Sequence, residues 1–233
     1  GPKLRFSSIP VFAPEHFARV RPEDSMKRKQ FLKGIMQLAE EGAIQTFRRN
    51  ETGLEEFIVG VVGELQFDVF CFGTLALRST ENLETVKSIL KNGNMKKIYC
   101  DINIRPPFFS DETILFALSN ANILKISDEE LHFVTEACAL KELEDIAEIY
   151  KNLEFILLTQ GEKGATVYDC KNKKSYTESA PKVEVKSTVG AGDSFGATFI
   201  CEHFKTNDIE KSLKKATEIS AFVVSKKEAI PEY

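Results

Sequence analysis

From Phe67 onward, short apolar runs alternate with stretches of helical period, and this rhythm limits the folds open to the chain more than any other feature. Residues 67–73, 97–102, 122–126 and 155–159 read as strands, and helical patterns cover 81–91, a stretch after Ser110, 128–136 and 141–152. Strands separated by helices of this length do not close as hairpins. They pair in parallel through right-handed crossovers, with helices covering both faces of the sheet. The expected class is therefore α/β. Residues 166–169 and 174–177, separated by Cys170-Lys171-Asn172-Lys173, read as a hairpin appended to the sheet, and 216–225 as an apolar-faced helix.

The residues ahead of Phe67 follow a different pattern. Positions 16–21 alternate as a half-buried strand, and Pro22 with Glu23, Asp24 and Ser25 forms a turn that caps a helix over 26–41. Phe31, Leu32, Ile35, Met36, Leu38 and Ala39 supply its apolar face, and Gly42 is placed as its C-cap. Strands at 44–49 and 57–62 follow, joined by a polar turn at 50–53. This βαββ order is the start of a ferredoxin-like sandwich, without the second helix and last strand. Two domains are expected, 1–66 and 67–233.

Composition narrows the function classes. With 42% hydrophobic and 28% charged residues the chain is of ordinary globular type, and a net charge of −4 gives no overall basic surface for nonspecific nucleic-acid binding. The five cysteines are scattered without a C-x-x-C pair, against both a disulfide framework and a zinc site, and consistent with a reducing compartment. No apolar run is long enough to span a bilayer, so no membrane partner and a cytoplasmic location are expected. His132 and His203 lack partners for a metal site or triad and read as ordinary helix residues.

The sharpest local signal is Thr188-Val189-Gly190-Ala191-Gly192-Asp193-Ser194-Phe195-Gly196-Ala197-Thr198-Phe199. A glycine-rich turn that opens directly into an apolar helix places the free N–H groups of Gly190, Ala191, Gly192 and Asp193 at the positive end of a helix dipole, which is an anion hole. Asp193 is then either a helix cap or a base aimed at a hydroxyl that attacks a bound phosphate.

The segment resembles the C-terminal signature of the PfkB family of carbohydrate kinases, with a ribokinase-like fold, and the likeness runs over about 67–233. The resemblance implies an ATP-dependent kinase of a sugar hydroxyl in which Asp193 is the general base and the Gly190, Ala191 and Gly192 amides hold phosphoryl oxygens. A nucleotide-bound Mg²⁺ would share the charge. Thr159-Gln160-Gly161-Glu162-Lys163-Gly164 resembles the family's nucleotide loop, which assigns Thr159, Gly161 and Gly164 to ATP; a plain hairpin turn is the alternative. Asp101-Ile102-Asn103-Ile104-Arg105 resembles the family's D-x-N-x-R, which puts Asp101, Asn103 and Arg105 on the substrate side; strand-end polar residues are the alternative. Ser127-Asp128-Glu129-Glu130 matches N-x-x-E in part, so Glu130 would hold the hydrated Mg²⁺ through water, or else serve in a capping box. Ser225, at the end of the last helix, would help wall the adenine pocket, or simply pack.

The first part resembles another family. Residues 9–20, 29–34, 38–45 and 63–68 are similar to bacterial peptide chain release factor three, a translational GTPase. No G-x-x-x-x-G-K-[ST] occurs in the chain, so the GTPase itself is not here. By this resemblance residues 9–66 would contact the ribosome or a release factor, with Arg19, Arg21, Lys27, Arg28, Lys29, Lys33, Arg48 and Arg49 facing RNA or simply solvated. The two likenesses meet near 65–70 without a Gly, Pro or Ser linker, the pattern expected of a chimera of two truncated domains. Since the kinase family's N-terminal half, with most of its sugar-binding residues, is replaced here, the expectation is a kinase site with little or no turnover. Whether this chain acts as an enzyme stays open at this point.

Overall fold

A computed structural model describes residues 14, 16–20, 26, 28–40, 45–49, 56–61, 68–93 and 95–227. The chain divides into two compact units, Gly1–Asp68 and Val69–Tyr233. The expected turn at 22–25, the Gly42 cap and the turn at 50–53 lie outside the described residues.

In the first unit, β1 (His16–Val20), α1 (Arg28–Glu40), β2 (Gln45–Arg49) and β3 (Glu56–Val61) follow in βαββ order. The sheet order is β1-β3-β2, with β3 antiparallel to both neighbours. Val59 is buried, and α1 turns Phe31, Leu32, Ile35 and Ala39 inward at three- and four-residue spacing. Met36, expected on that face, is 42% exposed.

The second unit is built on a six-stranded sheet of β4 (Val69–Gly73), β5 (Lys97–Asp101), β6 (Ile123–Ser127), β7 (Phe155–Thr159), β8 (Ala165–Asp169) and β9 (Lys174–Glu178), paired in that order. β4 to β7 are parallel, whereas β8 and β9 run antiparallel. Helices α2 (Thr80–Asn92), α3 (Asp111–Asn120), α4 (Asp128–Cys138) and α5 (Leu143–Ile149) lie between the parallel strands; α6 (Ala191–Thr206) and α7 (Ile209–Val224) follow the last strand.

Local chemistry sets these boundaries. The Ser110 hydroxyl accepts from the Thr113 N–H at 3.3 Å and starts α3. Between β8 and β9 the buried Asp169 carboxylate accepts from the Lys171 and Asn172 N–H groups at 3.0 and 2.9 Å, so the turn is held by one side chain. Asp208 caps α7 through the Lys211 N–H at 3.0 Å. That cap starts α7 at Ile209 rather than 216, because Leu213, Ala216 and Thr217 continue one buried stripe beneath the exposed lysines 211, 214 and 215. A 3₁₀ segment, Thr74–Arg78, follows β4 and was not signalled by any turn residue.

Strand alternation divides the core. Cys100, Leu124, Ile126 and Ile156 point to one side of the sheet, into a cluster with Ile114, Leu118, Val134 and Ile146 of α3 to α5. Tyr99, Ile123, Phe155 and Leu157 point to the other, against Phe195, Phe199 and Ile200 of α6 and Leu213 and Ala216 of α7. Among the described residues no helix is long and apolar enough to cross a membrane, and the five cysteines are free thiols.

His203 belongs to this second core. Its ring stacks on Phe199 at 5.7 Å and meets Phe155 edge-on at 4.8 Å, and its buried Nδ1 has no hydrogen-bond partner among the described residues. Burial lowers its pKa below the ordinary 6.5. As the pH falls below about 6.5, the unfolded chain takes up a proton that the folded chain resists, so stability is lost on acidification. Urea titrations on either side of that pH should show this loss in the wild type and a smaller one in His203→Phe.

Candidate active site

Asp101 and Lys125 are register partners at the carboxyl ends of β5 and β6, the end of an α/β sheet where ligands bind. They share the strand face of Tyr99 and Ile123, toward α6, where apolar residues would otherwise stand. The Lys125 Nζ lies 2.7 Å from the Asp101 Oδ1, and the two side chains are 8% and 19% exposed. Burial pushes the Asp101 carboxyl up from its ordinary value; the Lys125 ammonium opposes this, and the nearby Asp193 and Glu130 carboxylates add to it. An ion pair this deep carries a desolvation cost that its attraction offsets only with good geometry. Sequence reasoning passed over Lys125. The one signal was a charged residue inside the apolar run of β6.

The helix α6 begins immediately above this pair. Gly190 adopts φ +82, a left-handed conformation that a side chain would strain, and turns the chain into the helix. The Ala191 N–H reaches back to the Thr188 carbonyl at 3.3 Å, and the Ser194 N–H makes the first helical bond, to Gly190, at 2.9 Å. The Gly190, Gly192 and Asp193 N–H groups therefore have no partner among the described residues. Gly192 and Gly196, one turn apart, let the helix approach the strand ends. A Cβ at 192 would lie 3.1 Å from the Lys125 Nζ, and one at 196 would lie 2.1 Å from the Tyr99 hydroxyl oxygen. That hydroxyl is deeply buried, and desolvation raises its pKa well above the ordinary value. The Ser220 hydroxyl donates to the Ala191 carbonyl at 3.0 Å, tying α7 to the same turn. Asp193 is exposed, and no side chain caps α6.

These elements enclose a cleft of about 1220 Å³. Gly190, Ala191, Gly192 and Asp193 line it, as do Asp101, Asn103 and Arg105. Thr159, Gly161 and Gly164 reach it from the loop between β7 and β8, which is thus both a hairpin connection and a cleft wall. Asn103 exchanges hydrogen bonds with Thr74, its N–H donating to Oγ1 at 2.8 Å, while its own buried Oδ1 has no partner among the described residues. Arg105 is exposed. Glu130 lines the cleft too, but its carboxylate accepts from the Ile104 N–H at 2.9 Å and from the Ser127 N–H and hydroxyl at 3.1 and 2.8 Å. It clasps the Asn103 loop to the start of α4. Ser225 is not part of the lining, since its hydroxyl donates to the Phe222 carbonyl at 2.7 Å; Thr217, Ala221 and Val224 of α7 face the cleft instead.

A parallel sheet with helices on both faces and a glycine-started helix over its strand ends is the ribokinase-like arrangement of sugar kinases. Residues 64–232 match the pfkB family carbohydrate kinase model, and the chain belongs to that family. Residues 6–73 match the C-terminal domain of class II release factor RF3. Among solved structures, the fructokinase of Vibrio cholerae O395 in its fructose-, ADP- and calcium-bound form is similar at 22% identity and TM-score 0.59, over 69% of this chain and 56% of that one. The aminoimidazole riboside kinase of Salmonella enterica, complexed with aminoimidazole riboside and an ATP analogue, is similar at 20% identity and TM-score 0.55, over 70% and 59%. The fructokinase of Xylella fastidiosa with bound ATP gives 16% identity and TM-score 0.63, over 80% and 68%. The likeness at these identities is one of fold, and the chain spans little more than half the length of the first two kinases.

The two loop glycines differ in what holds them. Gly161 has φ +56 with open space around it, whereas at Gly164, φ +107, a Cβ would lie 2.0 Å from the Glu178 carbonyl oxygen. Gly161→Ala should cost about 1 kcal/mol, and Gly164→Ala at least about 2 kcal/mol, measured by urea denaturation.

Proposed function

We propose that the Val69–Tyr233 unit carries the phosphoryl-transfer site of an ATP-dependent carbohydrate kinase. The observation that carries this reading is Asp193, an exposed carboxylate in the first turn of α6, on the cleft and beside N–H groups with no partner among the described residues. An anion is favoured at such a helix start, and a carboxylate in the same turn is positioned to accept a proton. Asp193 takes the proton of a sugar hydroxyl as its oxygen attacks the γ-phosphorus; the bond from that phosphorus to the bridging oxygen breaks, and ADP leaves. The Gly190 and Gly192 amides stabilise the equatorial oxygens. Ala191, whose N–H is directed to Thr188, contributes through the turn it completes. Thr159, Gly161 and Gly164 receive the nucleotide, with Thr217, Ala221 and Val224 as the apolar wall in place of Ser225. The unpartnered Asn103 Oδ1 and the exposed Arg105 face the sugar.

Mg²⁺ fits this site as an ion carried in on the nucleotide. Among the described residues no three His, Cys, Asp or Glu side chains group to hold a metal, and Glu130 already accepts three hydrogen bonds. A magnesium ion that keeps its waters and binds mainly phosphate oxygens needs no more than one outer contact of that kind.

Residues 6–73 match the release factor rather than a kinase segment leading into β4, so we expect turnover to be low in this chain. A reacting group misplaced by about 1 Å costs on the order of a hundredfold. Titration calorimetry with a non-hydrolysable ATP analogue and Mg²⁺ should show binding; no heat would remove the nucleotide site. Asp193→Asn should still bind the analogue, while any ADP release across a panel of sugars should fall at least about a hundredfold.

The release-factor match carries a second reading, in which residues 9–66 contact the ribosome. Co-sedimentation with ribosomes at low salt that weakens as salt rises would support it, and no co-sedimentation at low salt would remove it.

A further inference from the structure

The phosphoryl-transfer reading leaves the most deeply placed charge of the cleft without a task. Lys125 is more than nine-tenths buried, and it stands at a strand position whose neighbour on the same face, Ile123, packs into the core under α6. An ammonium has three N–H donors. One meets the Asp101 Oδ1, and the other two have no partner among the described residues. The same Nζ lies 3.1 Å from where a Cβ of Gly192 would be, against the amides that begin α6, and Lys125 lines the cleft. Around it stand acidic groups: Asp101, and Asp193 and Glu130, which both lie close enough to raise the Asp101 pKa. A polyphosphate entering between those carboxylates meets repulsion unless a cation is fixed among them.

We infer that Lys125 binds the terminal phosphate of the donor nucleotide, and that Asp101 is a positioning residue that holds the ammonium under the start of α6 rather than a contact to the sugar. This rests on the phosphoryl-transfer reading and adds to it a division of labour. The two unpartnered N–H donors of Lys125 and the free amides of Gly192 and Asp193 converge on one anion from two sides, the strand end and the helix end. Glycine at 192 is then required because any side chain would come between the ammonium and the phosphate.

A charge fixed at the terminal phosphate separates ATP from ADP. Calorimetric titrations of the full chain with Mg²⁺ and, in turn, ADP and a non-hydrolysable ATP analogue test this. The wild type should bind the analogue about tenfold more tightly than ADP, equivalent to about 1.4 kcal/mol. In the double variant Lys125→Gln with Asp101→Asn, which removes both charges and leaves polar side chains in their place, that preference should fall to about one. Asp101→Asn alone, with the ammonium present but less firmly held, should give an intermediate ratio. Should the double variant not fold, Lys125→Gln alone serves, because Asp101 is already biased toward taking up a proton. A purely structural ion pair would lower the melting temperature and leave the ratio at the wild-type value, and that result overturns the assignment while the nucleotide site stands. A wild type that binds neither ligand overturns the phosphoryl-transfer reading itself.

Discussion

Two opposite charges side by side under a helix start constrain everything built around them, and in this chain they are Asp101 and Lys125. Their register pairing requires β5 and β6 to be parallel neighbours, with Lys125 set level with the last residue of β5. Their depth requires the covering helix to come close enough to exclude water, and close approach requires glycine wherever that helix faces them. Gly192 and Gly196 meet that requirement one turn apart, over Lys125 and Tyr99. The glycine-rich segment that reads, in isolation, as an anion-binding turn is therefore also a packing device. The two roles agree, since the amides left without partners at the helix start lie beside the buried ammonium.

The parts of this unit that could be read from the amino-acid order are those written locally. Strands buried on both faces read as continuous apolar runs, so the positions of β5, β6 and β7 are legible in the sequence while the face each side chain takes is not. Helix starts follow caps, as at Ser110 and Gly190. What escaped reading depends on partners distant in the chain. Lys125 looks like an interruption of an apolar run until β6 is paired with β5 and Asp101 stands beside it. The first half of α7 was hidden because its exposed lysines mask the buried stripe of Leu213, Ala216 and Thr217. Ser225 was a candidate for the cleft wall, yet the helix face that reaches the cleft is set by Thr217, Ala221 and Val224. Glu130 shows a different limit. A capping box and a water-mediated hold on Mg²⁺ are the two roles its sequence position offers; its carboxylate performs the first, and the residue lies on the cleft.

The two units follow different sheet logics. The first is an antiparallel βαββ arrangement whose middle strand is last in sequence, and the second is a parallel sheet that turns antiparallel only in its final hairpin. The family matches overlap over residues 64–73, a stretch that includes β4, the edge strand of the larger sheet. Among the described residues β4 pairs on one side only, with β5. A parallel edge strand of this kind is a liability unless something covers or pairs with it. The loop and the helix start of the cleft come from β7, β8, α6 and α7, elements later in the chain than the overlap.

The glycines in and behind the cleft separate the demands of folding from those of chemistry. Gly164 answers to backbone alone, because a side chain there would meet the Glu178 carbonyl whatever the cleft contained. Gly161 answers to its dihedral angle and touches nothing. Gly196 answers to the Tyr99 ring, a buried group with no charge to deliver. Only Gly192 is restricted by a charged atom, and at 3.1 Å the restriction is a tight contact rather than an outright clash. A neutral residue at position 125 of β6 would have relieved that contact and also avoided the cost of burying two charges. That it keeps both the glycine and the ammonium is why the pair is better understood as part of an anion site than as a brace between strands.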